Sequence, residues 1–216
     1  ISLTAFSLGS QGDLRNAVDR LADRIGTPAT TASVRRRPYL DAMELYAGCS
    51  SWSEDAQCHL PGTTAGRNPR GVLRRETYAA RSDFFDRVLG RDAVRTLLGL
   101  LPTVRGGSAA IQLTALGGAV NRVSPTATAF VHRRSRLLAQ YLVSWSEGAP
   151  GTAARSWLAS AHGAMRPYAS GAAYQNYADA SLRNWRQAYY GSAVPRLTQV
   201  KRRYDPHRLF THAQAL

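Results

Sequence analysis

YQNYADASLRNWRQAYYGSAVPRLTQVKRRYDPHRLFTHAQAL, residues 174–216, is the stretch that decides how the rest of the chain is read. It joins a polar aromatic cluster to a tryptophan-bearing segment and a tail broken by Asp205-Pro206. Asp179 carries the short acceptor side chain that caps helices, and Leu182, Trp185 and Tyr189 follow at helical spacing, so a helix is predicted behind it. Gly191, the residue type that ends helices in the left-handed region, stops that helix. A second helix is expected from Pro195, with Leu197, Val200 and Tyr204 on one face and Asp205-Pro206 at its end. Read blandly, this is a helical hairpin with core aromatics.

Working outward, Thr152–Ala164 reads as a helix. Before it lie three strand-like runs, Ala109–Leu116, Thr126–His132 and Leu137–Trp145. In the first, Ile111, Leu113 and Ala115 alternate with Gln112, Thr114 and Leu116. Gly117-Gly118 follows, but no G-x-G-x-x-G opens a helix there, so this is not a dinucleotide fingerprint. Further upstream Thr77–Arg81 reads as a short strand. Ser82-Asp83 is expected to cap a helical region, FFDRVLGRDAVRTLLGLLP, with Phe84, Val88, Val94 and Leu97 on its apolar face and Pro102 at its end. Gly12-Asp13 leads into a helix bearing Leu14, Val18, Leu21 and Ile25, closed by Gly26 and Pro28, and YLDAMELYAG forms a short one. The opening ISLTAFSLGS reads as a strand in progress, and the expectation is a piece of a longer protein. Strands and helices without regular β-α alternation give an α+β fold.

Hydrophobic residues make up 44% of the 216 and charged ones 19%, the balance of a globular chain able to bury a core. No apolar run reaches membrane-spanning length, so no membrane partner is expected. The net charge of +14 invites a nucleic-acid reading. Against it, the cations are scattered and almost all arginine, with Lys201 the sole lysine. The clusters at Arg35–Arg37, Arg74-Arg75, Arg133-Arg134 and Lys201–Arg203 lack interleaved aromatics on which single-stranded bases could stack. No nucleic acid is the preferred reading; a non-catalytic basic binding module is the alternative from another class. Cys49 and Cys58 lie in a polar stretch rich in glycine, proline and serine. A local disulfide is preferred there, pointing to a secreted or extracytoplasmic setting rather than a cytoplasmic one; two unrelated thiols is the alternative. A metal is not expected, because no C-x-x-C pair exists and His59 is the nearest histidine.

The 174–216 stretch resembles the flavin-linked oxidases related to berberine bridge enzyme. The resemblance rests on Tyr174, Asn176, Tyr177, Asp179, Leu182, Trp185, Tyr189-Tyr190-Gly191, Arg196-Leu197, Val200-Lys201, Asp205-Pro206, Phe210 and Gln214, in that order. A second run, Y-x-A-R-S-D-F over Tyr78–Phe84, is similar to one in that family, as are LGGAVNRVSPTATAFVHRR, with its His132-Arg133 pair, and AQYLVSWSE.

The resemblance implies an antiparallel sheet backed by helices, the substrate domain of a vanillyl-alcohol-oxidase-type flavoprotein, over roughly residues 1–170. It implies that 171–216 is a tail returning to the flavin-binding domain. FAD is the implied cofactor, with its attachment residues expected in an N-terminal half outside this sequence. The implied partners are a small-molecule substrate, that FAD-binding domain and molecular oxygen. Such enzymes oxidise an alcohol or C–H group by hydride transfer to flavin N5, and the implied substrate is a carbohydrate or a glycosylated or polyketide-like metabolite. The hydroxyl proton needs a base within hydrogen-bond reach. A tyrosine serves only if its pKa is pulled well below about 10. By resemblance that base is Tyr177, with Asn176 holding local backbone or the flavin. Substrate contacts fall near Thr114 and Gln112 on one strand face. A position that is glutamate in some members aligns with Leu138, or with Gln140 if the register slips. A leucine cannot act as a base, which counts against benzylisoquinoline-type ring closure. His132 is read as structural. A dehydrogenase or a non-oxidative relative on the same scaffold is the alternative among enzymes.

Overall fold

The computed structural model describes residues 2–46, 77–100 and 107–216. Cys49, Cys58 and Pro102 lie outside the described residues. The chain divides into two units, residues 1–74 and 75–216.

In the first unit, Ser10 caps α1 (Gln11–Ile25): its hydroxyl accepts from the Asp13 amide at 3.0 Å and donates to the Asp13 carboxylate at 2.7 Å. Gly26 closes the helix at φ 74°, as its sequence predicts. The second helix, α2, spans Tyr39–Tyr46. Residues 2–7 do not form the expected strand. A strand needs a ladder partner, and here Phe6 instead meets Tyr39 edge-on, ring centroids 6.2 Å apart.

The second unit is built on three antiparallel strands in the order β1 (Thr77–Phe85), β3 (Leu137–Trp145), β2 (Gly107–Ala115). The most apolar strand, LLAQYLVSW, takes the centre, where both of its edges are paired. Because side chains alternate across a sheet, one face carries Phe85, Ala139, Tyr141, Val143, Trp145 and Ile111. Helix α5 (Thr152–Met165) covers that face with Ala154, Leu158, Ala161 and Met165, which recur every three or four residues and are all buried. Leu97 of α3 (Arg91–Gly99) joins the same core. Burying Leu158 alone is worth roughly 1.5–3 kcal/mol. The result is a mixed α+β fold, an antiparallel sheet packed against helices.

Two glycines set close approaches. Gly107 opens β2 where a Cβ would lie 2.3 Å from the Ser144 carbonyl oxygen. Gly151 precedes α5 at φ 64°, where a Cβ would lie 2.3 Å from the Trp145 ring.

Three further expectations are corrected. Ser82-Asp83 caps no helix: β1 runs through Phe85, and the helix is confined to α3. Tertiary partners override the local signal, since Asp83 is fully buried with the His162 imidazole at 3.4 Å and the Arg166 guanidinium at 3.5 Å. Thr126–His132 forms turns rather than a strand. Its backbone is satisfied locally, by Ser124 and Thr128 hydroxyls and by Arg133, which donates to the Phe130 and Val120 carbonyls and to Thr128. The short helix α4 (Ala119–Arg122) lies just before this segment. Finally, Asp179 caps a turn, not a helix. Its carboxylate accepts from the Ser181 amide at 2.9 Å, and α6 begins only at Trp185 and ends at Tyr190, with Gly191 at φ 44° behind it.

Residues on both sides of position 170 share the second unit. The Ser170 amide donates to the Phe84 carbonyl (2.8 Å) and the Phe84 amide to the Ala172 carbonyl (3.2 Å), so the start of the tail pairs with the outer edge of β1.

The second tail helix, α7 (Val194–Tyr204), starts with its proline in the first turn and ends at Asp205, as expected. Asp205 locks the chain beyond this helix: its carboxylate takes a bond from Lys201 and accepts from the Leu209 (2.7 Å) and Phe210 (3.2 Å) amides. The Lys201 bond first, then those two amides, hold its pKa below the ordinary carboxylate value. A depressed folded pKa stabilises above the unfolded value of about 3.9 and ceases to do so as pH falls through the folded one. Acidification below about pH 4 is therefore expected to release the Leu209 and Phe210 amides to hydrogen exchange. Asp205→Asn should expose them at neutral pH; equal protection in wild type and variant refutes the lock.

Candidate active site

The second face of the sheet carries no helix of the core described above. Register places its side chains in cross-strand rows: Ser82, Gln140 and Gln112 in one, Phe84, Leu138 and Thr114 in the next. Toward the other end come Ala80, Leu142 and Ala110, then Tyr78, Ser144 and Ser108, whose serine hydroxyls bond at 2.8 Å. Gln112 and Thr114 are exposed, Gln140 half-buried and Leu138 buried. The three polar residues singled out on the strands thus share one face, and Gln112 stands directly opposite Gln140.

The Tyr174–Tyr177 turn reaches this face at its Ser82–Phe84 end. The Tyr174 amide donates to Ser82 Oγ at 2.9 Å, and the Tyr177 amide closes the turn on the Tyr174 carbonyl at 2.9 Å. The Tyr174 ring meets Phe84 and Phe130 edge-on, each at 6.2 Å, and Tyr177 stands perpendicular to Tyr174 at 5.0 Å. Asn176 Nδ2 donates to the Tyr174 hydroxyl at 2.9 Å. So Asn176 secures the first tyrosine of the motif. The second, Tyr177, is half-buried, and among the described residues its hydroxyl takes no hydrogen bond.

His132 lies beneath this turn, stacked on Phe84 at 4.1 Å, with Nε2 3.0 Å from the Tyr189 carbonyl. Burial pushes its pKa down, ahead of the opposing pull of that bond. A neutral ring with Nε2–H donating to the carbonyl is the state this geometry supports, a joint between the 130s turns and α6. On the helix-covered face, Asp83, His162, Arg166 and Tyr141 form a polar cluster that the sequence did not signal. Burial first, then the Asp83 carboxylate, push the Tyr141 pKa up, so Tyr141 stays a phenol.

The family described as "Berberine and berberine like" matches residues 173–216, the segment that holds the turn and its anchors. An uncharacterized FAD-linked oxidoreductase of Bacillus subtilis, YgaK, is 28% identical over 211 residues, covering 97% of this chain and 41% of that protein. Residues 173–216 thus carry that family's segment, and over 97% of its length the chain is similar to FAD-linked oxidoreductases.

A chitooligosaccharide oxidase of Gibberella zeae is 26% identical over 232 residues, covering all of this chain and 43% of the relative. Berberine bridge enzyme from Eschscholzia californica superimposes with a TM-score of 0.76 at 22% identity, over 97% of this chain and 44% of that one. A solved chitooligosaccharide oxidase gives a TM-score of 0.74 at 24% identity, over 96% and 44%. At these identities the structural matches carry the fold alone. The chain spans about two fifths of the length of the curated relatives it matches.

The residues on the open face suit the family cofactor's ring system, a flat apolar plate with a polar rim. Leu142 and the half-buried Tyr174 and Tyr177 rings leave apolar surface, and the exposed Asn176 carboxamide offers a polar group for the rim. Sequence reasoning missed Ser82 and Arg81, which tie the turn to the sheet. Their only signal was their place in the Y-x-A-R-S-D-F run.

Proposed function

We propose that this chain is the substrate-side portion of an FAD-dependent oxidase acting on a hydroxyl-bearing carbon of a carbohydrate or a glycosylated or polyketide-like metabolite. The observation that carries the reading is the unequal fate of two neighbouring tyrosines. Asn176 occupies the Tyr174 hydroxyl, whereas the Tyr177 hydroxyl, on the turn that Ser82 fastens to one end of the open face, has no hydrogen bond among the described residues and is left for a substrate. In this reading a Tyr177 phenolate would take the proton of the substrate hydroxyl, becoming the phenol, as the adjacent carbon gives up hydride. FAD, when bound, supplies the hydride acceptor at N5, and molecular oxygen takes the electrons onward. Gln112, Gln140 and Thr114 orient the substrate through bonds to its oxygens, and Asn176 holds Tyr174, which backs the Tyr177 ring.

A hydroxyl-rich substrate is favoured by the side chains that line that face. Amides and hydroxyls pair with sugar hydroxyls, and Tyr78, 58% exposed at the far end, offers a flat ring for the apolar side of a pyranose. That one relative and one solved structure are chitooligosaccharide oxidases supports the same class. Part of the positive charge is spent internally: Arg81 pairs with Asp179, Arg133 wraps its own turn and Arg155 lies 4.6 Å over the Trp145 ring. That weighs against a nucleic-acid role.

The test uses the full-length flavoprotein, mixed without oxygen with chitooligosaccharides, other soluble oligosaccharides and aromatic alcohols. The oligosaccharides are expected to bleach the flavin. Bleaching by aromatic alcohols alone overturns the carbohydrate assignment, and bleaching by none overturns the oxidase reading.

A further inference from the structure

We infer that Arg81 is a positioning residue for Tyr177, acting through Asp179; the inference rests on the proposed role of Tyr177. Arg81 lies on β1 beside Ser82, and its Nε is 3.3 Å from Asp179 Oδ2. Its Nη2 donates to Ser181 Oγ at 2.8 Å, and Ser181 in turn donates to Asp179 Oδ1 through both its amide (2.9 Å) and its hydroxyl (2.5 Å). The pair is largely enclosed, 24% of the Arg81 side chain and 13% of the Asp179 side chain remaining exposed. Such a fork is set by the planar guanidinium and is not reproduced by an ammonium.

Asp179 is fixed from further directions. Its amide donates to Tyr189 Oη at 2.9 Å, and its carbonyl accepts from Gln214 Nε2 at 2.8 Å. On the other side of Tyr177, Tyr174 is held by Ser82 Oγ at 2.9 Å. Two neighbouring residues of one strand therefore clamp the two ends of a short span, Ser82 at Tyr174 and Arg81 at Asp179, with Tyr177 between them. The Arg81 guanidinium is committed to Asp179 and Ser181, so its effect on substrate chemistry runs through where it leaves the Tyr177 ring. Removing it loosens the nearer anchor, two residues from that ring, leaving the Asp179 side chain to Ser181 and its backbone to Tyr189 and Gln214.

The experiment is a double-mutant cycle in the full-length flavoprotein, with stopped-flow flavin reduction at saturating substrate. Misplacing a reacting group by about 1 Å costs on the order of 10²-fold, and Arg81→Gln is expected to slow reduction by about 10–10²-fold with flavin content unchanged. Arg81→Lys, which keeps the charge but loses the fork, should recover part of that rate. In the Tyr177→Phe background, Arg81→Gln should add little, because the group it positions is gone. A readout free of catalysis accompanies the rates: the fluorine resonance of 3-fluorotyrosine placed at position 177 should move on Arg81→Gln while the same label at Tyr204, on α7, stays. Equal slowing by Arg81→Gln in both backgrounds overturns the inference and leaves the base assignment standing. Normal reduction in Tyr177→Phe overturns the base assignment instead. The fluorine shift then decides Arg81 alone, an unmoved resonance refuting the clamp.

Discussion

Tyr177→Phe is expected to slow flavin reduction in the full-length enzyme by about 10²–10⁴-fold, the usual worth of a general base. The substitution removes one oxygen and keeps the ring. The perpendicular contact with Tyr174 at 5.0 Å survives, and with it the packing of the turn on Phe84. No hydrogen bond among the described residues is lost, so stability should change little. That combination, a large kinetic effect with intact folding and flavin content, separates a base from a buried structural hydroxyl. Tyr174→Phe is the control: it removes the acceptor of the Asn176 bond but no atom offered to substrate, and should cost far less in rate. Stopped-flow bleaching decides between them, and a Tyr177→Phe enzyme that reduces its flavin at the wild-type rate places the base elsewhere.

The largest stability loss is expected from Gly151→Ala, at about 2–5 kcal/mol. Two causes add. Alanine at φ 64° pays roughly 1–2 kcal/mol for the left-handed region. Its Cβ would also stand 2.3 Å from a Trp145 ring that is buried on the core face and covered by the Arg155 guanidinium at 4.6 Å. Overpacking of that kind costs about 1–3 kcal/mol. Gly148→Ala isolates the second cause: its φ is 80°, but nothing lies within 4 Å of an added Cβ. Urea unfolding of both variants should therefore place Gly151→Ala below Gly148→Ala. Equal losses mean that Trp145 swings aside at no cost.

The features legible in the sequence were those whose causes are local. The Gly26 stop of α1, the proline start and Asp205 end of α7, and the alternation of β2 all rest on near neighbours. Ser82-Asp83 misled because a serine-aspartate pair before two phenylalanines looks like a cap, while the true partners of Asp83 come from α5 and the residue just after it, far along the chain. Thr126–His132 has strand-like composition, but Arg133 takes its Phe130 and Val131 carbonyls and the Ser124 and Thr128 hydroxyls take its Thr126 and Phe130 amides, so no ladder is built. Asp179 caps as its residue type predicts, but it caps a turn, because its side chain bonds two residues on and helical geometry begins only at Trp185. At the site, Tyr177, Asn176, Gln112, Thr114 and Gln140 came from resemblance. That Gln112 faces Gln140 needed the β2–β3 register, and that Asn176 serves Tyr174 needed coordinates.

The bonds that fasten the tail to β1 have a consequence for the order of assembly. Tyr174 and Ser82 are 92 residues apart in the chain, and Arg81 and Ser181 are 100 apart. Closing loops of that length costs entropy before any contact repays it, whereas α5 and the β2–β3 pairing draw on nearer segments. The tyrosine turn is thus expected to seat after the sheet and helix that support it, and pulsed hydrogen exchange should show the Tyr174 amide protected later than those of β3 and α5. On this order the turn closes a late-forming seam between segments about 90 to 100 residues apart in the chain, β1 at one side and the 174–181 stretch at the other.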